Sequence, residues 1–420
     1  MSARPDAIVI GGSLGGLAAA AYLRQTGASV VLLEKAEMLG GACRRAETFH
    51  ALDPRVVKDL GLGRYGLKFA LRDMALVALR QDGRHLVLGR DPHDAARAIA
   101  AHSPADAAAY KRYQSELFAL GRALRPWWWD DAAEPHGLPA RVEAASAQAF
   151  LASYFESDAL RAALAFDIPS PLEPGSALAL VWRASQEMCG LQGAVAAPQG
   201  GGAALADTLI AAAKDMGVEF RTKAHVAKLV LDGDAVAGVE LDSGETIFAP
   251  AVLSSLPRRE TLLDLAPAAS AGFAQTHKLM RAAAAQKETT AAFTLNAEPT
   301  LAPAGARFII AEGEPALEAA VAASALPGQH VLSVRAKGLA SVDAITGQLE
   351  RFIPLLRGRI VDTQTGERDV AHTRLLESAR VRIATPIRGL FLCGSGAEPM
   401  DALSGRTGRL AADFVMRKGS

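Results

Sequence analysis

The chain has 420 residues, half of them apolar, and its 45 basic and 45 acidic side chains balance to zero formal charge. That length is enough for two lobes with substantial cores, and the neutral balance gives no electrostatic reason to expect a nucleic-acid partner. No apolar run reaches the ~18 residues of a spanning helix, and the chain leads straight into a strand without room for a cleavable signal, so a cytoplasmic protein is expected.

Ala7-Ile8-Val9-Ile10 has the composition of a buried strand and is broken at once by Gly11-Gly12-Ser13-Leu14-Gly15-Gly16. An alanine-rich helical pattern follows to Leu23, then a second apolar strand over 29–33 that ends in Glu34. Strand, glycine turn, helix, strand and acid in that order form a dinucleotide-binding βαβ unit. Gly11 allows the sharp turn out of the strand, and Gly16 lets the helix approach the sheet. The free N–H groups at the helix start receive a pyrophosphate. Glu34 follows Gly11 by 23 residues, near the ~20 expected for the acid that binds a ribose. Ser13 stands where a glycine usually lets backbone approach phosphate; serine is small enough, and its hydroxyl can donate to a phosphate oxygen. After Glu34 come Lys35-Ala36-Glu37-Met38-Leu39-Gly40-Gly41-Ala42-Cys43-Arg44-Arg45.

Beyond an initial strand-like part, 76–194 reads as mainly helical, most clearly over 106–124 and 140–154. Pro126-Trp127-Trp128-Trp129 is the densest aromatic spot. It suits a pocket wall for an apolar substrate, a core wedge, a dimer contact or a surface that touches membrane. Pro169, Pro171 and Pro174 precede another helical piece over 176–188. Pro198-Gln199-Gly200-Gly201-Gly202 then leads into a helix over 203–216. Strands are expected over 224–231, 235–241 and 246–248, with turns at Asp232-Gly233 and Ser243-Gly244. Ala251-Val252-Leu253-Ser254-Ser255-Leu256-Pro257 closes this block. Further strands are expected over 287–295, 307–310 and 330–336, and a helix over 342–356. Near the end, Gly389-Leu390-Phe391-Leu392-Cys393-Gly394-Ser395-Gly396 is a buried strand running into a glycine turn. A terminal helix begins near Arg406.

Together these three blocks resemble the glutathione-reductase-like flavoproteins of the amine-oxidase and phytoene-desaturase superfamily, over nearly the whole chain. The resemblance implies an α/β fold: a discontinuous Rossmann-like FAD-binding domain (1–75, 195–257 and 373–420) with an inserted α+β substrate domain (76–194 and 258–372). It implies FAD as cofactor, with Gly40-Gly41, Ala42, Cys43 and Arg44 wrapping the diphosphate and ribityl, Lys35 beside the ribose acid, and Val226 meeting the adenine through its backbone. Ser254, Gly394, Ser395, Leu403, Ser404 and Gly405 fall where the chain returns to the flavin, and the terminal helix start faces its pyrimidine ring. Two departures stand beside the flavin face: Met400-Asp401-Ala402 replaces a run of glycines, and Glu398 replaces a histidine. Glu398 and Asp401 are therefore candidate catalytic acids, although a solvated loop pair reads the same way. Lys287 corresponds to the lysine that holds a water against the flavin in amine-oxidase-type relatives; the same pattern fits a surface lysine.

The resemblance implies hydride removal from a mainly apolar, polyene or isoprenoid-like molecule, with dioxygen or a quinone as acceptor. Amine oxidation is the alternative, as is a non-catalytic binder of the GDP-dissociation-inhibitor type. Peripheral membrane contact, oligomeric state and a covalent flavin link at Cys43 stay open. Cys43, Cys189 and Cys393 form no Cys-x-x-Cys pair, and the histidines lack ligand spacing, so no metal is assigned. No second glycine fingerprint for a nicotinamide cofactor is present.

Overall fold

Short strands made only of apolar residues need cover on both faces, which a parallel sheet inside helices and a second sheet provides. Ala7–Ile10 lies between Ala251–Ser254 and Val30–Leu33, with Ile8 opposite Val252 on one side and Val31 on the other. Leu390–Leu392 and Glu219–Arg221 add the two edges of this five-stranded parallel sheet. The computed structural model describes residues 4–130, 139–168, 170–267, 270–281, 286–323, 326–370, 382–394, 396–397 and 403–419.

One face of the sheet (Ala7, Val9, Leu32) packs on helices Leu14–Gln25, Gly201–Asp215 and Arg406–Gly419. The other face (Ile8, Ile10, Val31, Leu33) packs on the antiparallel strands Val226–Asp232, Ala235–Leu241 and Thr246–Phe248. The alanine-rich first helix has a reason for its small side chains. A Cβ added to Gly408 of the terminal helix would lie 2.2 Å from the Gly15 carbonyl and 2.7 Å from the Ala19 amide, so the two helices cross backbone to backbone.

A second, seven-stranded sheet draws on both inserted stretches. Its order is Ile360–Val370, Gln286–Leu295, His330–Ala336, Leu317–Ala323, Arg307–Ile310, Leu76–Ala78 and Leu86–Leu88. Phe293, Phe308 and Leu332 turn one face toward Ile345 and Leu349 of helix Val342–Glu350. The opposite face carries charge.

Several elements depart from the sequence reading. The 140–154 helix is two pieces, Ala140–Glu143 and Ala147–Ala152, because the Ser146 hydroxyl caps the second by accepting from the Ala149 N–H at 3.0 Å. The 342–356 helix stops at Glu350, and Leu355 turns the chain with φ +62° before a short helix at Leu356–Arg359. Alanine-rich Leu317–Ala323 is a strand that no local preference announces; it pairs on both sides, with Arg307–Ile310 and His330–Ala336, so tertiary context overrides propensity. The tryptophan triplet closes helix Pro104–Trp129 and is buried in the core of the helical insertion, which removes it from any exposed partner or membrane surface.

Candidate functional site

The glycine turn builds one wall of a groove. Gly11 leaves the first strand with φ +88° and donates its N–H to the Leu33 carbonyl at 2.8 Å. Gly16 has no room for a side chain, since its Cβ would fall 2.1 Å from the Gly11 carbonyl. Gly15 is closed likewise by the Cys393 carbonyl at 2.0 Å, which binds the turn to the last strand. Ser13 caps the helix, its Oγ accepting from the Gly16 N–H at 3.4 Å while the hydroxyl proton stays available to a phosphate oxygen. Leu14 begins the helix and is buried.

Glu34 is fixed by backbone. Its Oε2 accepts from Gly12 N–H and its Oε1 from Ala36 N–H, each at 2.8 Å. The partly buried carboxylate thus faces the turn across the strand ends, as a ribose acid must. Gly40, at φ +108°, donates to the Gly12 carbonyl at 2.7 Å, and Gly41, at φ +50°, passes beside Ser13. These residues fit an FAD diphosphate and ribose: a turn with no room for side chains at Gly12, Gly15 and Gly16, a helix N-terminus beginning at Ser13, and an oriented carboxylate.

Other positions in this stretch have different jobs. Arg44 turns to Asp207 at 2.5 Å and to the Leu39 carbonyl. Lys35 and Ala42 are exposed. Cys43 is buried, and burial pushes its thiol up to about 12; its Sγ lies 3.5 Å from the Gly202 carbonyl, toward the docked helix. Val226 is buried at the start of its strand. Ser254 shares a 2.7 Å hydrogen bond with the Thr261 hydroxyl. Gly394 packs tightly on the Ser255 carbonyl, 2.2 Å from where its Cβ would be.

The terminal helix begins against this groove. Gly405 takes φ +68°, the Ser404 Oγ accepts from the Arg406 N–H at 2.9 Å, and the Thr407 hydroxyl donates to the Cys393 carbonyl at 3.0 Å. Leu403 is partly buried just before it. The Asp53 N–H donates to the Ser404 carbonyl at 2.9 Å and brings the 49–53 strap to the helix start. Beneath it lies a buried charge group that the sequence reading missed. Asp53 Oδ2 is 3.4 Å from Arg406 Nε and 3.6 Å from Arg409 Nε. Arg406 also reaches Gln186 Oε1 at 3.1 Å and lies 4.5 Å over the Trp129 ring.

A larger group occupies the charged face of the seven-stranded sheet. Arg335 pairs across the strands with Glu318 and Thr290, and Arg307 sits one strand further on. Asp167 joins them, accepting from Arg307 at 2.9 and 3.0 Å and from Arg335 at 2.7 Å. Arg307 donates to Glu318 at 2.5 Å, and Glu288 accepts from Lys337 at 3.1 Å. Burial alone would raise Asp167, but Arg307, Arg335 and Arg183 hold its carboxyl well below the usual range. His50 lies edge-on to Trp182, with ring centroids 5.9 Å apart; burial and the neighbouring Arg183 keep its imidazole neutral, well below its ordinary value. This face looks toward the FAD loop: a Cβ at Gly366, which pairs with Thr290, would lie 3.6 Å from the Arg45 side chain.

The same register places Lys287 on the other face. Successive strand residues alternate faces, so Lys287 shares its face with Thr289, Ala291 and Phe293, away from Glu288 and Thr290. It is 49% exposed and donates to Glu367 at 2.6 Å. Ser395, Glu398 and Asp401 lie outside the described residues. Asp53-Pro54 was readable as a helix cap, but nothing local marked Arg406 and Arg409 as its buried partners, because their contacts span more than 300 residues.

The chain belongs to the FAD binding domain family, which matches residues 6–298, and it binds FAD. Among curated relatives, it is 30% identical over 318 residues to the pyridine nucleotide-disulfide oxidoreductase domain-containing protein 2 of Rattus norvegicus, covering 62% of this chain and 55% of that one. It is likewise 30% identical over 299 residues to the zeta-carotene-forming phytoene desaturase of Myxococcus xanthus, covering 61% and 55%. The chain thus spans about half the length of the curated relatives it matches. A putrescine oxidase triple mutant, from a redesign of cofactor binding, superposes with a TM-score of 0.70 at 15% identity, covering 99% of each chain. The fold is that of the desaturase and amine oxidase superfamily of FAD-dependent oxidoreductases. Among the described residues no helix is long and apolar enough to cross a membrane.

Proposed function

We propose that the protein is an oxidoreductase that removes a hydride from a C–H bond of a mainly apolar, polyene or isoprenoid-like small molecule, with dioxygen or a quinone as final acceptor. The observation that carries this reading is convergence: the glycine turn, the Glu34 carboxylate and the start of the terminal helix are joined through Gly15, Cys393 and Thr407 into one site. Bound FAD supplies the two-electron chemistry. Gly12, Ser13 and Gly41 would hold its diphosphate, Glu34 its ribose and Val226 its adenine. The helix start at Ser404-Gly405 would favour negative charge on the far ring.

On the substrate side, the sheet face that looks toward the FAD loop and the helices over it bring together, among the described residues, four cations (Arg183, Arg307, Arg335 and Lys337) and three carboxylates (Asp167, Glu288 and Glu318). With His50 neutral, that surplus opposes an ammonium group, which favours C–H over C–N oxidation. The test is anaerobic titration of the FAD-loaded protein with polyenes and with primary amines, followed by the visible absorbance of the oxidised flavin. Bleaching by polyenes alone is expected. Bleaching by amines alone reassigns the reaction to C–N bonds, and a flavin that neither class reduces refutes the oxidoreductase reading.

A further inference from the structure

The four cations of the buried sheet-face group are not equally compensated. Arg307 contacts Glu318 at 2.5 Å and Asp167 at 2.9 Å; Arg335 contacts Glu318 at 2.6 Å and Asp167 at 2.7 Å. Lys337 has Glu288 at 3.1 Å. Arg183, on helix Ala177–Ser185, approaches a carboxylate only at 3.8 Å, through Nε toward an Asp167 oxygen that Arg307 already holds. Its Nη1 donates to the Gly193 carbonyl at 3.3 Å, and its buried Nε has no hydrogen-bond partner.

An interior guanidinium is stable only when paired, and its planar fork matches a carboxylate in two-point contact. Arg183 also borders space. It keeps 13% of its side chain accessible, while burial lowers its basicity to about 10. Asp167 and Arg335 are accessible to a similar degree, 16% and 18%. The neighbouring Trp182 meets His50 edge-on, and three residues on from His50 the Asp53 N–H reaches the helix start at Ser404. Three residues span at most about 11 Å, so the backbone of His50, whose ring meets Trp182, lies within that reach of the Asp53 contact to the terminal helix start.

Resting on the oxidoreductase reading of this site, we infer that the substrate is an apolar chain ending in a carboxylate, and that Arg183 binds that carboxylate with the neutral His50 imidazole beside it. Arg183 would thereby set which end of the chain enters first, and so which C–H bond lies at the reacting position.

The experiment uses FAD-loaded protein and two probes, all-trans-retinoic acid and its methyl ester, with dissociation constants read from quenching of tryptophan fluorescence. The acid is expected to bind at least tenfold (roughly one charge-assisted hydrogen bond) more tightly than the ester. In Arg183→Gln the two affinities should converge, and Arg183→Lys should restore part of the gap, with FAD content unchanged in both. Equal affinity of acid and ester for the wild-type protein, absence of binding by both, or a gap that survives in FAD-loaded Arg183→Gln overturns the assignment. If Arg183→Gln does not fold, the wild-type comparison and Arg183→Lys decide alone. Flavin bleaching by an uncharged polyene without acid preference sinks the carboxylate assignment and spares the oxidoreductase reading. Acid preference without bleaching by any polyene does the reverse.

Discussion

At the scale of single residues, the cofactor groove depends on one carboxylate and on several missing side chains. Glu34 is held by two backbone N–H groups at 2.8 Å, and hydrogen bonds to a charged group contribute about 1.5–3 kcal/mol. Glu34→Ala is therefore expected to weaken FAD retention about tenfold to hundredfold, measured as flavin released on gel filtration; unchanged flavin content would remove Glu34 from the site. Lys287 is the opposite case. Its lysine matches an amine-oxidase-type position in sequence, yet strand alternation turns it to the face of Thr289 and Phe293, beside Glu367. Lys287→Met should leave both flavin reduction and reoxidation within about twofold, as surface changes do. A slowed half-reaction in stopped-flow would return Lys287 to the chemistry.

At the scale of elements, the seven-stranded sheet separates its duties by face. One face buries Phe293, Phe308 and Leu332 under a helix, and the other holds a charge lattice that is stable only when complete. Burial alone would raise Glu318, but Arg307 and Arg335 bring its carboxyl down to about 2, against an ordinary 4.5. A carboxyl lowered by folding contributes stability that is fully present above the unfolded value and is lost as pH falls from 4.5 through about 2. Glu318→Gln should cost about 3–5 kcal/mol at neutral pH, because two arginines keep their burial and lose a counter-charge. The variant should also show a shallower acid limb in that window when urea midpoints are followed against pH. An acid limb identical to that of the wild type would mean Glu318 is not the titrating group.

At the scale of the molecule, what joins the terminal helix to the inserted helices is again buried charge. Asp53 is fully buried between Arg406 and Arg409, and these two arginines reach Gln186 and the Trp129 carbonyl on separate helices of the insertion. Removing the Asp53 carboxylate takes away the charge that Arg406 and Arg409 share, although Arg409 keeps Asp413 at 3.4 Å. Asp53→Asn should destabilise the protein by about 3–5 kcal/mol and make unfolding less cooperative, seen as separated transitions of flavin release and far-ultraviolet circular dichroism. Coincident, unshifted transitions would show that apolar packing alone holds the lobes together.

The glycine turn and its acid were legible in the sequence, because both lie within one βαβ unit where spacing is geometry: Gly11, Gly16 and Glu34 can be placed by counting along a strand and a helix. The sequence by itself also located most strands and helices, since alternation and helical period are local signals. Only the tertiary structure made Leu317–Ala323 a strand, since its partners on either side, not its alanines, decide its shape. Only the tertiary structure brought Asp53 to Arg406, and Arg183 to Asp167 and His50. Charged residues carry no periodic mark of burial, and which cation lacks a counter-charge is a property of distances between segments far apart in the chain.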